Sequence, residues 1–142
     1  MIDARSAGIV AATAAVLFLK GLVVAYVQVS ARFRTRSFSR PEDARLMGVA
    51  PQSEPDLVVR AGGALRNESE NSPYFLVLGV TYALLGGGPS LLLGIAALYV
   101  TARLFQTYAQ VMALQPQRMI GYLTGAAATV WLAAQTALLI EF

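Results

Sequence analysis

The chain of 142 residues contains no cysteine and no histidine, and only 13% of it is charged, against about 25% in soluble domains. Without cysteine it forms no disulfide and offers no thiol nucleophile of its own. Without histidine or cysteine it lacks the usual zinc ligands. The side chain that most often serves as a general base near neutral pH is also missing. A hydrophobic content of 56% excludes an intrinsically disordered chain. The mean hydropathy of +0.57 leaves too little polar surface for a water-soluble domain. The length suits one domain, and what remains is an integral membrane protein. The net charge of +3 adds little, because the charges are clumped.

Thirteen of the nineteen charged residues lie between Arg32 and Glu70, and the 72 residues after Glu70 carry three. A spanning helix needs about 20 largely apolar residues. Gly8 to Ser30 meets this with one interruption, Lys20; Ser90 to Leu114 meets it with Arg103; Met119 to Ile140 meets it with none. Pro73 to Leu85 is apolar but short and is stopped by Gly86-Gly87-Gly88-Pro89, so this span must begin between Arg60 and Asn71. The expectation is one domain over residues 1–142, an all-α membrane bundle of four helices at roughly 6–36, 58–86, 90–114 and 117–141, with neighbours antiparallel and a loop at roughly 37–57. The N-terminal stretch has Asp3 and Arg5 before a long apolar run, unlike a signal peptide.

Arginine sets the expected orientation. The connections after the first and third spans share a side and hold seven arginines and Arg118, against Arg5 across the membrane. That side is expected to be cytoplasmic, with both termini opposite it. Gly121 and Gly125 form a GxxxG pair, suited equally to packing within one subunit or between subunits.

Polar residues within spans are costly and face a partner, a cavity or the bundle interior. Arg66, Asn67, Glu70 and Tyr74 share one helical face; Tyr99, Arg103, Gln106, Thr107 and Gln110 form a second stripe; Arg118 and Tyr122 lie one turn apart. With Arg32 and Arg34 at the exit of the first span, these residues converge on one level of the membrane. The expectation is a polar pocket near the cytoplasmic leaflet, open laterally to lipid. Arg103 needs a buried partner, for which Glu70 is the expected choice. No acid is evident opposite Lys20, which is expected to snorkel or meet a carbonyl.

These residues resemble the MAPEG proteins of eicosanoid and glutathione metabolism, over nearly the whole chain. The resemblance is carried by Lys20, Val23-Val24-Ala25, Arg32-Phe33-Arg34, Phe38 and Pro41-Glu42-Asp43 near the first helix. It continues through Arg66-Asn67-Glu68-Ser69-Glu70-Asn71 with Pro73 and Phe75, Ala102-Arg103-Leu104-Phe105-Gln106-Thr107, and Gln115-Pro116-Gln117-Arg118 with Tyr122. It implies a homotrimer in the lipid bilayer with glutathione bound between subunits. It also implies Arg32, Arg66, Asn67, Glu70, Gln106, Gln110 and Tyr122 as glutathione-binding residues, Arg118 as the catalytic residue, and Arg103 and Asp43 in support. The sequence departs from the family pattern in having Gly63 where a basic residue is usual, with Arg60 a partial substitute. Gln106 and Gln110 replace His or Tyr, and Met119 replaces the Ser that follows the catalytic arginine in the prostaglandin synthase.

The expected function is that of a glutathione-dependent membrane enzyme. It would activate the thiol of glutathione for conjugation to lipophilic electrophiles or reduction of lipid hydroperoxides. The alternatives are a prostaglandin E synthase-like isomerase and a non-catalytic membrane protein or transporter. The expected host membrane is the inner membrane of a bacterium, or the endoplasmic reticulum of a eukaryote. No metal or nucleic acid is expected.

Overall fold

The computed structural model describes residues 3–140, and all its regular elements are helices. They are α1 (Ala4–Thr35), α2 (Pro41–Leu46), α3 (Asp56–Leu84), α4 (Pro89–Val111) and α5 (Gln115–Ala137). The expected end of the last helix at residue 141 lies outside the described residues. Asp3 caps α1, its carboxylate accepting from the backbone N–H groups of Arg5 and Ser6; such a cap satisfies donors that a helix start leaves orphaned. Arg36 ends α1 at a left-handed φ of 50°. Ala113 ends α4 in the same way, at φ 60°, so α4 stops at Val111 rather than near residue 114 and turns tightly into α5. The segment expected as loop contains the short α2. Pro41 starts it, Glu42 and Asp43 sit in its first turn and Arg45 in its last, in line with the helix dipole.

Side-chain pairings give the packing. On α1 and α3, Val10 meets Gly79, Lys20 meets Glu68 and Gln28 meets Val58, so the two run antiparallel. Between α3 and α4, Asn67 pairs with Gln106 and Ser72 with Tyr99, again antiparallel. Between α4 and α5, Gly121 packs on Gln106 and Gly125 on Arg103. The GxxxG pair therefore serves contact within one chain. A Cβ on Gly121 would stand 2.9 Å from the backbone of Gln106, so only glycine lets α5 approach this closely. α1 packs against α3 and α4 but does not touch α5.

An apolar core of Leu17, Phe75, Tyr82, Leu92, Ile95, Tyr99 and Leu132 fills one end of the bundle. Large apolar side chains also face outward, including Phe18, Leu22, Val23, Val77, Val130 and Trp131. Among the described residues, α1 and α4 are long and apolar enough to cross a membrane. The first half of α3 holds Asp56, Arg60, Arg66, Glu68 and Glu70 and is correspondingly polar.

Candidate functional site

The polar residues of the bundle separate into two regions that share Asn67 and Gln106. The first is buried. Ala61, Ala64, Ser72, Phe75, Gly79 and Tyr82 form the inward stripe of α3, and Glu68 continues that stripe at helical spacing. Lys20 occupies the same kind of position on α1, between buried Leu17 and Val24. Glu68 Oε2 accepts from Lys20 Nζ and from Arg103 Nη2 at 3.1 Å and Nε at 3.3 Å. Its Oε1 accepts from Ser72 Oγ, which lies 3.2 Å from the Tyr99 hydroxyl. Tyr99 stacks on Phe75 with ring centroids 3.8 Å apart.

The Arg103 side chain is 2% exposed. Besides Glu68, its Nη2 donates to the backbone carbonyl of Asn67 at 3.0 Å and its Nη1 donates to Gln106 Oε1. Gln106 Nε2 donates to Asn67 Oδ1 at 2.8 Å. One carboxylate thus serves two buried cations, and hydrogen bonds to Ser72, Gln106 and the Asn67 carbonyl engage the other polar groups of Glu68 and Arg103, the kind of support that makes buried charge tolerable.

This corrects the expected pairing of Arg103 with Glu70. Two residues along a helix is a rotation of about 200°, so Glu70 faces away from the stripe that holds Glu68. Lys20 does not snorkel but ends on the same carboxylate. The recognisable sign is a single acid in an otherwise uncharged inward stripe.

The second region is a pocket of about 490 Å³ lined by Gly63, Arg66, Asn67 and Glu70 of α3, Gln106 and Gln110 of α4, and Gln115, Arg118, Met119 and Tyr122 of α5. Its size falls within the roughly 300–1,000 Å³ typical of small-molecule sites. Among the described residues, the side chains of Arg66, Glu70 and Arg118 make no ion pair. The first turn of α5 also has no side-chain cap. Its backbone N–H groups and Arg118 together give the mouth of the pocket positive potential.

Of the expected binding residues, Arg66, Asn67, Glu70, Gln106, Gln110 and Tyr122 line this pocket together with Arg118. Arg32 does not. It sits near the end of α1, the helix that never touches α5, and its Nη2 pairs with Glu54 at 2.7 Å. Asp43 is on α2, exposed, and outside the pocket lining. Arg103 lies behind the pocket and reaches it through Gln106 and Asn67. Arg60 does not substitute for a basic residue at position 63. Its Nε donates to the carbonyl of Val111 at 3.0 Å, tying α3 to the end of α4. At Gly63, a Cβ would lie 2.7 Å from Gln110 Nε2, so the glycine gives Gln110 its place in the pocket. A larger groove of about 590 Å³ between α1 and α4 is lined by apolar residues with Arg5, Thr13 and Ser90. It has no grouping of charges comparable with the pocket.

The MAPEG family profile matches residues 10–138. The chain belongs to the MAPEG family. It is similar to prostaglandin E synthase of Bos taurus, at 33% identity over 111 residues, 76% of this chain and 72% of the relative. The Mus musculus prostaglandin E synthase is 34% identical over 107 residues, 74% and 69% of the two chains. Microsomal glutathione S-transferase 1 of Homo sapiens is 29% identical over 129 residues, 87% and 83%. These relatives are enzymes by name. Membership of this membrane-associated family and the two apolar helices make the chain a membrane protein. In this MAPEG protein the departures from the family pattern at Gly63, Gln106, Gln110 and Met119 all fall on the pocket lining. Three charged residues of the pattern, Arg66, Glu70 and Arg118, fall there too, whereas Arg32, Asp43, Glu68 and Arg103 do not.

Proposed function

We propose that this MAPEG protein is a glutathione-dependent membrane enzyme that activates the glutathione thiol toward lipophilic electrophiles or lipid hydroperoxides. The observation that carries this reading is the pocket in which Arg66, Glu70 and Arg118 converge without pairing to one another. Glutathione brings two carboxylates, an ammonium group, a peptide backbone and a thiol, and the lining offers a match to one carboxylate and to each of the other groups. Arg66 supplies a planar fork of donors for a carboxylate. Glu70 pairs with the ammonium, and Asn67 and Gln110 serve the peptide groups. When bound, glutathione supplies the thiol that a chain without cysteine lacks.

Arg118 stabilises negative charge on that sulfur, helped by the uncapped start of α5. A free thiol has a pKa near 8.5. Lowering it by two units takes about 2.7 kcal/mol of preferential stabilisation of the thiolate, within reach of one charge-assisted hydrogen bond. Tyr122, one turn further along α5, lies on the same face and closes that side of the site.

The proposal includes assembly as a homotrimer with the pocket completed at a subunit boundary. Arg32 supports it. Its side chain is 31% exposed, and its own chain keeps it out of the pocket. A neighbouring copy would bring Arg32 to the open side. In the membrane, all four long helices span, the arginine-rich connections are cytoplasmic, and substrates enter sideways from lipid.

A prostaglandin E synthase-like isomerase is the second reading, favoured by the names of two of these relatives. Met119 and Gln110 in the lining weigh against it. Turnover with glutathione and an aryl halide, a lipid hydroperoxide or a prostaglandin endoperoxide separates the readings. The first two substrates are expected to react, whereas reaction of the endoperoxide alone would favour the isomerase. Absence of saturable glutathione binding in mild detergent would remove both and leave a non-catalytic membrane protein or transporter.

A further inference from the structure

Between the buried ion network and the pocket stand two side-chain amides, Gln106 and Asn67. An amide has an acceptor end and a donor end of nearly equal size, and the surrounding partners decide which way it faces. Here the partner at the start of the chain leaves no choice. A guanidinium has five N–H donors and no acceptor and does not lose its proton. Arg103 is held on Glu68 and on the Asn67 carbonyl, so the N–H it aims at Gln106 requires the oxygen of that amide. Gln106 therefore turns Oε1 toward Arg103 and Nε2 toward Asn67. Asn67 must answer with Oδ1, and its Nδ2 is left facing away. Among the described residues this NH2 group makes no hydrogen bond, and Asn67 lines the pocket. Reversing either amide would bring donor against donor in a nearly dry site, since Gln106 is 3% exposed. That arrangement forfeits a hydrogen bond and leaves buried groups unsatisfied.

We propose that Arg103 and Gln106 are positioning residues that set the polarity of Asn67. Its Nδ2 is then a fixed donor in the pocket, matched to a carbonyl or carboxylate oxygen of the ligand and not to the ammonium or an N–H. This rests on the glutathione reading and deepens it. The ammonium is left to Glu70. Gln106, which lines the pocket, has both ends of its amide engaged within the protein and orients Asn67 more than it binds.

The chain has only two asparagines, Asn67 and Asn71, so selective ¹⁵N-asparagine labelling of the detergent-solubilised protein yields two side-chain NH2 signals. Asn71→Ser assigns them. On titration with glutathione, the Asn67 NH2 signal is expected to shift saturably with the binding isotherm. Gln106→Glu keeps the shape and still accepts from Arg103 but cannot donate to Asn67. The asparagine must then reverse and present oxygen, so glutathione affinity falls more than tenfold and the NH2 signal no longer follows the ligand. Gln106→Met adds no charge and frees Asn67 to face either way. It lowers affinity by about fivefold, the order contributed by one neutral hydrogen bond. Thermal unfolding confirms that each variant is folded. If the parent protein binds glutathione while the Asn67 NH2 signal stays still, or if both Gln106 variants bind as the parent does, the assignment is wrong. If the parent does not bind glutathione at all, the reading on which it rests fails first.

Discussion

The buried network and the pocket use the same residue types to opposite ends. Behind the pocket, Lys20, Glu68, Arg103, Ser72 and Gln106 have their polar groups engaged with one another. A turn or less away, Arg66, Glu70 and Arg118 form no ion pair among the described residues. Pairing in a low-dielectric interior stabilises charges only when they are satisfied together. A set left unpaired at a pocket is available for a ligand of complementary charge. Saturation, rather than burial or charge alone, distinguishes the groups that hold the fold from those offered to a substrate. Asn67 and Gln106 belong to both regions and connect them.

Removal of the shared carboxylate is expected to have the largest effect. Glu68→Leu strands Lys20 and Arg103 without their counter-ion and is expected to cost about 3–5 kcal/mol, read as a large drop in thermal unfolding temperature in detergent. Glu70→Gln, two residues away, is expected to stay within about 0.5 kcal/mol of the parent. Equal losses at the two positions would erase the distinction between them.

The next effect is steric. Gly121→Ala places a methyl group against the backbone of Gln106, pushing α5 from α4, and is expected to destabilise by about 1–3 kcal/mol. The same shift disturbs the wall that the two regions share, so glutathione affinity should fall with stability. For the pocket, Arg66→Leu should leave stability near the parent value while affinity falls by roughly tenfold or more, as expected for a hydrogen bond between charged groups worth about 1.5–3 kcal/mol; calorimetric titration with glutathione measures it. The smallest effect is expected at Glu54→Gln, which weakens a partly exposed pair with Arg32. Its expected cost is about 0–1 kcal/mol, measured by unfolding at low and high salt.

Much of this arrangement is legible in the amino-acid sequence. Apolar runs locate the long helices, and spacing alone gathers Arg66, Asn67 and Glu70 on one face and Arg118 with Tyr122 on another. The partner of Arg103 is a different matter. Glu68 and Glu70 stand equally near it in sequence, and only the orientation of α3 against α1 and α4 separates them. The inward stripe through Ala61, Ala64, Ser72 and Phe75 contains that orientation, but reading it requires knowing which face of a mixed helix is buried. Lys20 depends on the same fact. Arg32 could be grouped with the pocket because it shares a membrane level with Arg118. Level along the bundle says nothing of position around it, and α1 lies where α5 does not reach. The exchange at Gly63 and Gln110 is legible only in space, because each residue explains the other through a single close approach.

The proposed chemistry depends on Arg118, which makes no ion pair among the described residues, activating a bound thiol from the start of α5. It is tested most directly by the absorbance of the glutathione thiolate against pH, in the parent protein and in Arg118→Leu, both saturated with glutathione. A bound-thiol pKa well below the free value near 8.5 is expected in the parent, with a clear rise in the variant. Turnover at neutral pH should fall about tenfold for each unit of that rise and recover in part as the pH is raised. An identical thiol pKa in the two proteins would remove Arg118 from the chemistry.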